Sequence, residues 1–132
     1  MVTDRFMEES DLPLLEVSLA FDKHHTTTTP EFFTEPGTLT KVYEDERGVG
    51  IFVRGSAVDT DILRLDLQFV DNNDRRRNMK IMLAGFPPLV EKARQSGYKE
   101  IAFQSDVPLL KTFCTKCFGF TETSGGEMRL AL

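Results

Sequence analysis

Three consecutive arginines, Arg75, Arg76 and Arg77, follow Asp71-Asn72-Asn73-Asp74 and precede Asn78 and Met79. Ahead of them, Ile62 to Val70 alternates: apolar residues stand at 63, 65, 67 and 69, polar ones at 64, 66 and 68. That period predicts a strand with one buried face. Behind them, Met79, Met82, Leu83, Phe86, Leu89, Val90 and Ala93 recur at threes and fours and predict a helix that Gly97 closes. A strand feeding a basic turn that opens a helix can bind an anion, because free main-chain N–H groups and the positive helix end face the turn. The same composition also suits a solvated charged turn. Pro87-Pro88 removes two amide donors and predicts a kink or restart after Phe86.

Other residues could carry chemistry. His24 and His25 are the only histidines, and either could serve as a base near neutral pH. Cys114 and Cys117 form a C-x-x-C, placed within or at the end of a helix rather than at its start, where redox pairs sit. A Cys₂His₂ zinc set with His24 and His25 is arithmetically open, but adjacent histidines chelate awkwardly. Two buried cysteines fit better, and no metal is expected.

The elements that must position these residues follow in order. Val2 to Met7 is a first strand. Ser10 or Asp11 caps a helix with Pro13 in its first turn, and Leu14, Leu15, Val17, Ser18 and Phe21 form its expected buried stripe. The polar run His24 to Pro30 ends that helix, and Glu31-Phe32-Phe33 is a short turn. Thr38 to Glu44 and Val49 to Ala57 pair as a hairpin about Asp45 to Gly48. Tyr98 to Gln104 is a strand, parallel to 62–70 through the helical crossover. Asp106 is expected to cap a helix with Leu109, Leu110, Phe113, Cys114 and Cys117 on its apolar side. The helix ends at Phe118-Gly119-Phe120, before a last hairpin reaching Leu132.

At 132 residues the chain is expected to be one domain, 1–132. Its net charge of −5 argues against a nucleic-acid binder. No apolar run approaches a membrane span. The start Met-Val-Thr-Asp-Arg lacks signal-peptide character, so a cytoplasmic location is expected.

Strand, basic turn and helix resemble the acyl-CoA-binding segment of the GNAT superfamily of N-acetyltransferases. The family's usual turn has Arg or Gln, two residues, Gly, one residue, then Gly or Ala. Arg75 takes the first position, while Asn78 and Lys80 stand where the glycines usually are, so the motif is divergent. Asn78 reaches left-handed backbone angles better than most residues and is expected to replace a glycine in part. The opening Glu8 to Pro13 and the pair Gly119-Phe120 extend the resemblance over nearly the whole chain. Thr115 stands where the family often has a tyrosine general acid.

The resemblance implies an α+β fold (three-layer α/β/α) with a mixed, mostly antiparallel sheet of six or seven strands. The first and central helices would lie on opposite faces. It implies acetyl-CoA, or another acyl-CoA, as cosubstrate and direct attack by a small-molecule amine or protein amine. The main chain of Phe69, Val70 and Asp71 would contact the pantetheine arm. Arg75, Arg76, Arg77, Asn78 and Met79 would hold the phosphates. Asp66 is the candidate base, or else a solvent-facing strand carboxylate. Phe32, Phe33 and His25 would border the acceptor, although both phenylalanines also suit core or lid packing. A homodimer stays open. The rival reading is a catalytically inactive ligand-binding or protein-interaction module of the same fold.

Overall fold

A computed structural model describes residues 1–25 and 27–132. Thr26, part of the polar run after the first helix, lies outside the described residues. The strands are β1 (Thr3–Phe6), β2 (Leu39–Asp45), β3 (Gly48–Ala57), β4 (Ile62–Phe69), β5 (Glu100–Gln104), β6 (Thr121–Glu122) and β7 (Glu127–Ala131). The helices are α1 (Leu12–Ala20), α2 (Arg75–Gln95) and α3 (Pro108–Phe118). All seven strands form one sheet in the order β1-β2-β3-β4-β5-β7-β6. Every pairing is antiparallel except β4 with β5. Among the described residues, no helix is long and apolar enough to cross a membrane.

Alternation along β2 and β3 sends neighbouring residues to opposite faces. Tyr43, Ile51 and Val53 join Leu65 beneath Ile81, Met82 and Phe86 of α2. Val42 and Phe52 face the other way, onto Leu15 and Leu19 of α1 and onto Phe33. The first and central helices therefore cover opposite faces, as expected. At Gly85 the helix lies against the sheet, where a Cβ would come within 2.6 Å of the Tyr43 ring.

The structure corrects several expectations. α2 runs unbroken through Pro87 and Pro88. The carbonyls deprived of donors are those of Leu83 and Ala84, both at exposed positions where water can bond them. α1 buries Leu15, Ser18 and Leu19, whereas Val17 is 53% and Phe21 86% exposed. Because α1 is apolar nearly all round, composition does not mark a face. Its rotation is set at the start, where Asp11 accepts Arg5 Nη1 and Nη2 at 2.8 Å and the Glu8 amide at 2.8 Å. Val107, not Asp106, caps α3, with the Ser105 hydroxyl oxygen accepting the Val107 N–H at 3.0 Å. Cys114 is buried but Cys117 is exposed, one helical turn away on the solvent side.

The polar phase of β4 differs too. Gln68 is fully buried rather than solvent-facing, because α1 and the segment after it cover this end of the sheet. A buried amide is tolerable only when hydrogen-bonded, and here it is.

Candidate functional site

The sheet opens along one edge of β4. β4 and β5 pair only at Ile62 with Glu100, Leu63 with Ile101 and Arg64 with Ala102. Past this point β5 stays with β7, from Glu100 opposite Ala131 to Gln104 opposite Glu127, while β4 stays with β3. Val70 N donates to Gly50 O at 2.9 Å, and Val58 N to Ile62 O at 3.0 Å. In an antiparallel pair these bonds place the even-numbered main-chain groups of β4 toward β3. Leu65, Leu67 and Phe69 therefore turn their main-chain groups toward the opening. This unpaired edge can receive an extended ligand.

Two cavities flank the opening. The first, of about 460 Å³, lies by the start of α2 and is lined by Phe69, Val70, Asp71, Arg75, Asn78 and Met79, with Phe113 of α3 opposite. The second, of about 470 Å³, is bordered by His25, Phe32, Phe33, Arg64, Asp66 and Asp106. Asp22, His24, Phe69, Asn72, Val107 and Leu110 belong to both walls, so the cavities are contiguous. His24 Nδ1 reaches Asp106 Oδ1 at 3.3 Å, bridging the segment after α1 to the start of α3.

Of the residues assigned to phosphate and pantetheine, Phe69, Val70, Asp71, Arg75, Asn78 and Met79 come together, whereas Arg76 and Arg77 do not line that cavity. Arg77 lies toward the β2–β3 hairpin. Its Nε and Nη2 donate to the Asp45 carboxylate at 2.8 Å each, and Nη2 also to Gly48 O at 2.8 Å. The Arg77 guanidinium holds the Asp45 carboxyl at about 2, below its ordinary range, despite some burial. Arg76 is exposed. Arg75 has no carboxylate partner among the described residues, and its charge is available to the cavity.

Asn78 does not act as a glycine substitute. It sits inside α2, and among the described residues only glycines have positive φ. Its side chain instead donates to Asp71 O at 2.9 Å, closing the turn from within. The helix end is also already capped. Asp74 accepts the Arg77 amide at 3.3 Å and Arg47 Nη1 at 2.7 Å, and these donors, the arginine first, hold its carboxyl below the ordinary range. A carboxylate therefore stands beside the positive end of α2.

The second cavity brings the candidate base Asp66 together with Phe32, Phe33 and His25, the three residues expected to border the acceptor. Phe32 lies under the Arg54 guanidinium, 3.9 Å from its ring centroid, and meets Phe33 edge-on at 5.6 Å. Phe33 is itself 3% exposed and belongs chiefly to the core. Asp66 is engaged on both oxygens, by Arg54 at 3.2 Å and Arg64 at 3.5 Å. Behind His25 lie two groups the sequence did not single out. Gln68 Oε1 is 2.6 Å from His25 Nδ1, and Gln68 Nε2 is 2.9 Å from Asp22 Oδ2. Burial opposes charge on Asp22, but the His24 amide, Asn72, Gln68 and His25 hold its carboxyl below the ordinary range.

No tyrosine lines either cavity among the described residues. Thr115 is exposed. Burial, with Cys117 nearby, pushes the Cys114 thiol up to about 12, so it is inert as a nucleophile.

Compared as a sequence, the chain matches no protein-family model and no curated protein. Its structure is similar to those of N-acetyltransferases. An acetyltransferase of the GNAT family from Staphylococcus aureus Mu50 superposes with a TM-score of 0.75 at 14% identity, covering 100% of this chain and 99% of that one. The ribosomal-protein-S18-alanine N-acetyltransferase from Escherichia coli does so with 0.72 at 16%, covering 99% and 94%. For yncA of Salmonella typhimurium, solved with its cofactor acetyl-CoA, the values are 0.68 at 13%, covering 99% and 94%. The chain has the GNAT fold: a mixed seven-stranded sheet flanked by three helices.

Proposed function

We propose that the chain is an N-acyltransferase that moves an acyl group, acetyl in the first instance, from acyl-CoA to an amine by direct attack. The observation that carries this reading is the unpaired edge of β4, running between two contiguous cavities. An extended thioester lying along Leu65, Leu67 and Phe69 would find main-chain partners there. Its phosphates would reach Arg75 and the start of α2, where charge and free amides favour anions. Its acyl end would face the second cavity. Asp66, Asp106 and Asp22 border that cavity, and carboxylates suit the ammonium of a small-molecule or protein amine. Of the proton-accepting groups on its wall, Asp66 and His25 are the candidates for the base.

One observation favours a second reading, a binding module of the same fold without turnover. Asp74 stands at the helix end that phosphates would occupy, and among the described residues no tyrosine phenol lines either cavity to protonate a leaving thiolate.

Isothermal titration with acetyl-CoA and with CoA tests both. Micromolar binding of both, with CoA released when an amine is added, is the expected result. Binding without release selects the module. No binding at millimolar cosubstrate rejects the acyl-CoA cleft altogether.

A further inference from the structure

Gln68 is 0% exposed, so each of its amide atoms needs a partner. Its Nε2 lies 2.9 Å from Asp22 Oδ2, 3.0 Å from Phe69 O and 3.4 Å from Ser18 O. All three can only accept, which fixes the NH₂ on that side and leaves Oε1 toward His25. Oε1 is an acceptor, so His25 Nδ1, at 2.6 Å, must carry the hydrogen. Asp22 Oδ2, 3.3 Å from the same nitrogen, enforces the same choice. In the neutral ring the lone pair is then on Nε2, the nitrogen that neither Gln68 nor Asp22 engages. His25 borders the acceptor cavity. A buried carboxylate and a buried amide that together set one tautomer of a half-exposed histidine form a base-orienting pair, the logic of a general-base site.

We propose that His25 Nε2 is the base that takes the proton from the acceptor amine, with Asp22 and Gln68 as its positioning residues. The assignment rests on the N-acyltransferase reading of the cleft and deepens it. Asp66 is the poorer candidate because a guanidinium engages each of its oxygens. The acceptor's ammonium gives one proton to Nε2, and the freed lone pair forms the C–N bond at the acyl carbon. The C–S bond breaks with its electron pair on sulfur, which takes the second nitrogen proton and leaves as the thiol. The proton on His25 passes to water. Charged groups around the ring are Asp22 behind it, Arg64 and Asp66 on β4, and Asp106 with His24 ahead of α3. Glu16 of α1, Lys23 and Glu31 stand on the outer groove it also borders.

Three measurements on the full chain test this. Imidazole nitrogen NMR of wild type should show a protonated Nδ1 and a bare Nε2 on neutral His25, and Gln68→Leu should shift that balance. Acetyl-CoA should bind His25→Gln as it binds wild type. CoA release is then followed with spermidine and with an alanine-starting peptide as acceptors. His25→Gln should lower kcat/KM by about 100-fold and abolish the acidic limb of the pH–rate profile, while Asp66→Asn keeps that limb. A protonated Nε2, or an unchanged profile in His25→Gln, overturns the assignment. Acetyl-CoA binding by wild type without turnover of either amine overturns the base and leaves the cosubstrate site standing. Failure of wild type to bind acetyl-CoA overturns the acyltransferase reading and the base with it.

Discussion

Toward β3, β4 is paired over seven residues, from Leu63 opposite Ala57 to Phe69 opposite Ile51. Toward β5 it is paired over three. The closed edge meets its main-chain groups within the protein. The open edge leaves donors and acceptors for water or a ligand, a condition proteins usually cover or blunt. The arginines at the start of α2 divide the same way. Arg77 is spent on Asp45 at the closed side, and Arg75 borders the open side. The closed edge supplies stability, and in the proposed function the open edge is the part that would receive the ligand.

The sharpest way to break this division is at the closed side's core. Phe52 is 0% exposed between β3 and α1, and replacing it by Ala should destabilise by about 3–5 kcal/mol. Urea unfolding measures this. A loss below about 1 kcal/mol would mean that this face is not the scaffold.

Arg77→Ala comes next. It takes from Asp45 its two guanidinium bonds, leaving only the Arg47 amide, and should remove about 2 kcal/mol of stability at pH 7. The Asp45 carboxyl is held at about 2 in the folded chain, against about 3.9 when unfolded. Its folded value is depressed, so the pair stabilises fully above the unfolded value, and that contribution is lost as pH falls toward the folded one. The difference between wild type and Arg77→Ala should therefore shrink as pH falls from about 4 to about 2. Acetyl-CoA affinity should be unchanged. An equal stability gap at both ends of that window would show that Arg77 acts through packing instead.

Arg75→Ala should do the reverse, weakening acetyl-CoA binding about tenfold, one charge-assisted contact, while the melting temperature stays in place. Titration calorimetry and thermal unfolding of the two variants form a crossed pair. If both arginines moved the same quantity, the division between the edges would fail.

The element order was legible because its signals are local: alternation at 62–70, helical spacing after Met79, and glycines with positive φ at 97 and 119. The gathering of Phe69, Val70, Asp71, Arg75, Asn78 and Met79 at one cavity follows from that order. Which way each arginine turns does not, because 75 and 77 are two residues apart and only the fold decides which faces Asp45, thirty-two positions earlier than Arg77. The stripe of α1 was obscured by a helix apolar almost all round. Asp22 and Gln68 were hidden for a similar reason. They are forty-six positions apart, and an Asp after a helix or a Gln in the polar phase of a strand reads as solvent-facing until the covering element is placed. The placement of Asp22 two and three positions before the only two histidines was the one clue available.

The smallest effect expected is the most informative about the open side. Asp74 caps α2 and is bound by Arg47, so its charge lies where phosphates would approach the helix start. Asn is as good a cap as Asp, so Asp74→Asn keeps the hydrogen bond and removes the charge. Acetyl-CoA should then bind about two- to fivefold tighter at low salt, with the gain fading as ionic strength rises toward about 0.15 M and the Debye length falls to about 8 Å. Titrations at two salt concentrations measure it. An affinity indifferent to this charge at low salt would mean that the phosphates do not sit at the start of α2. The open edge of β4 would then hold a ligand entering from the acceptor side.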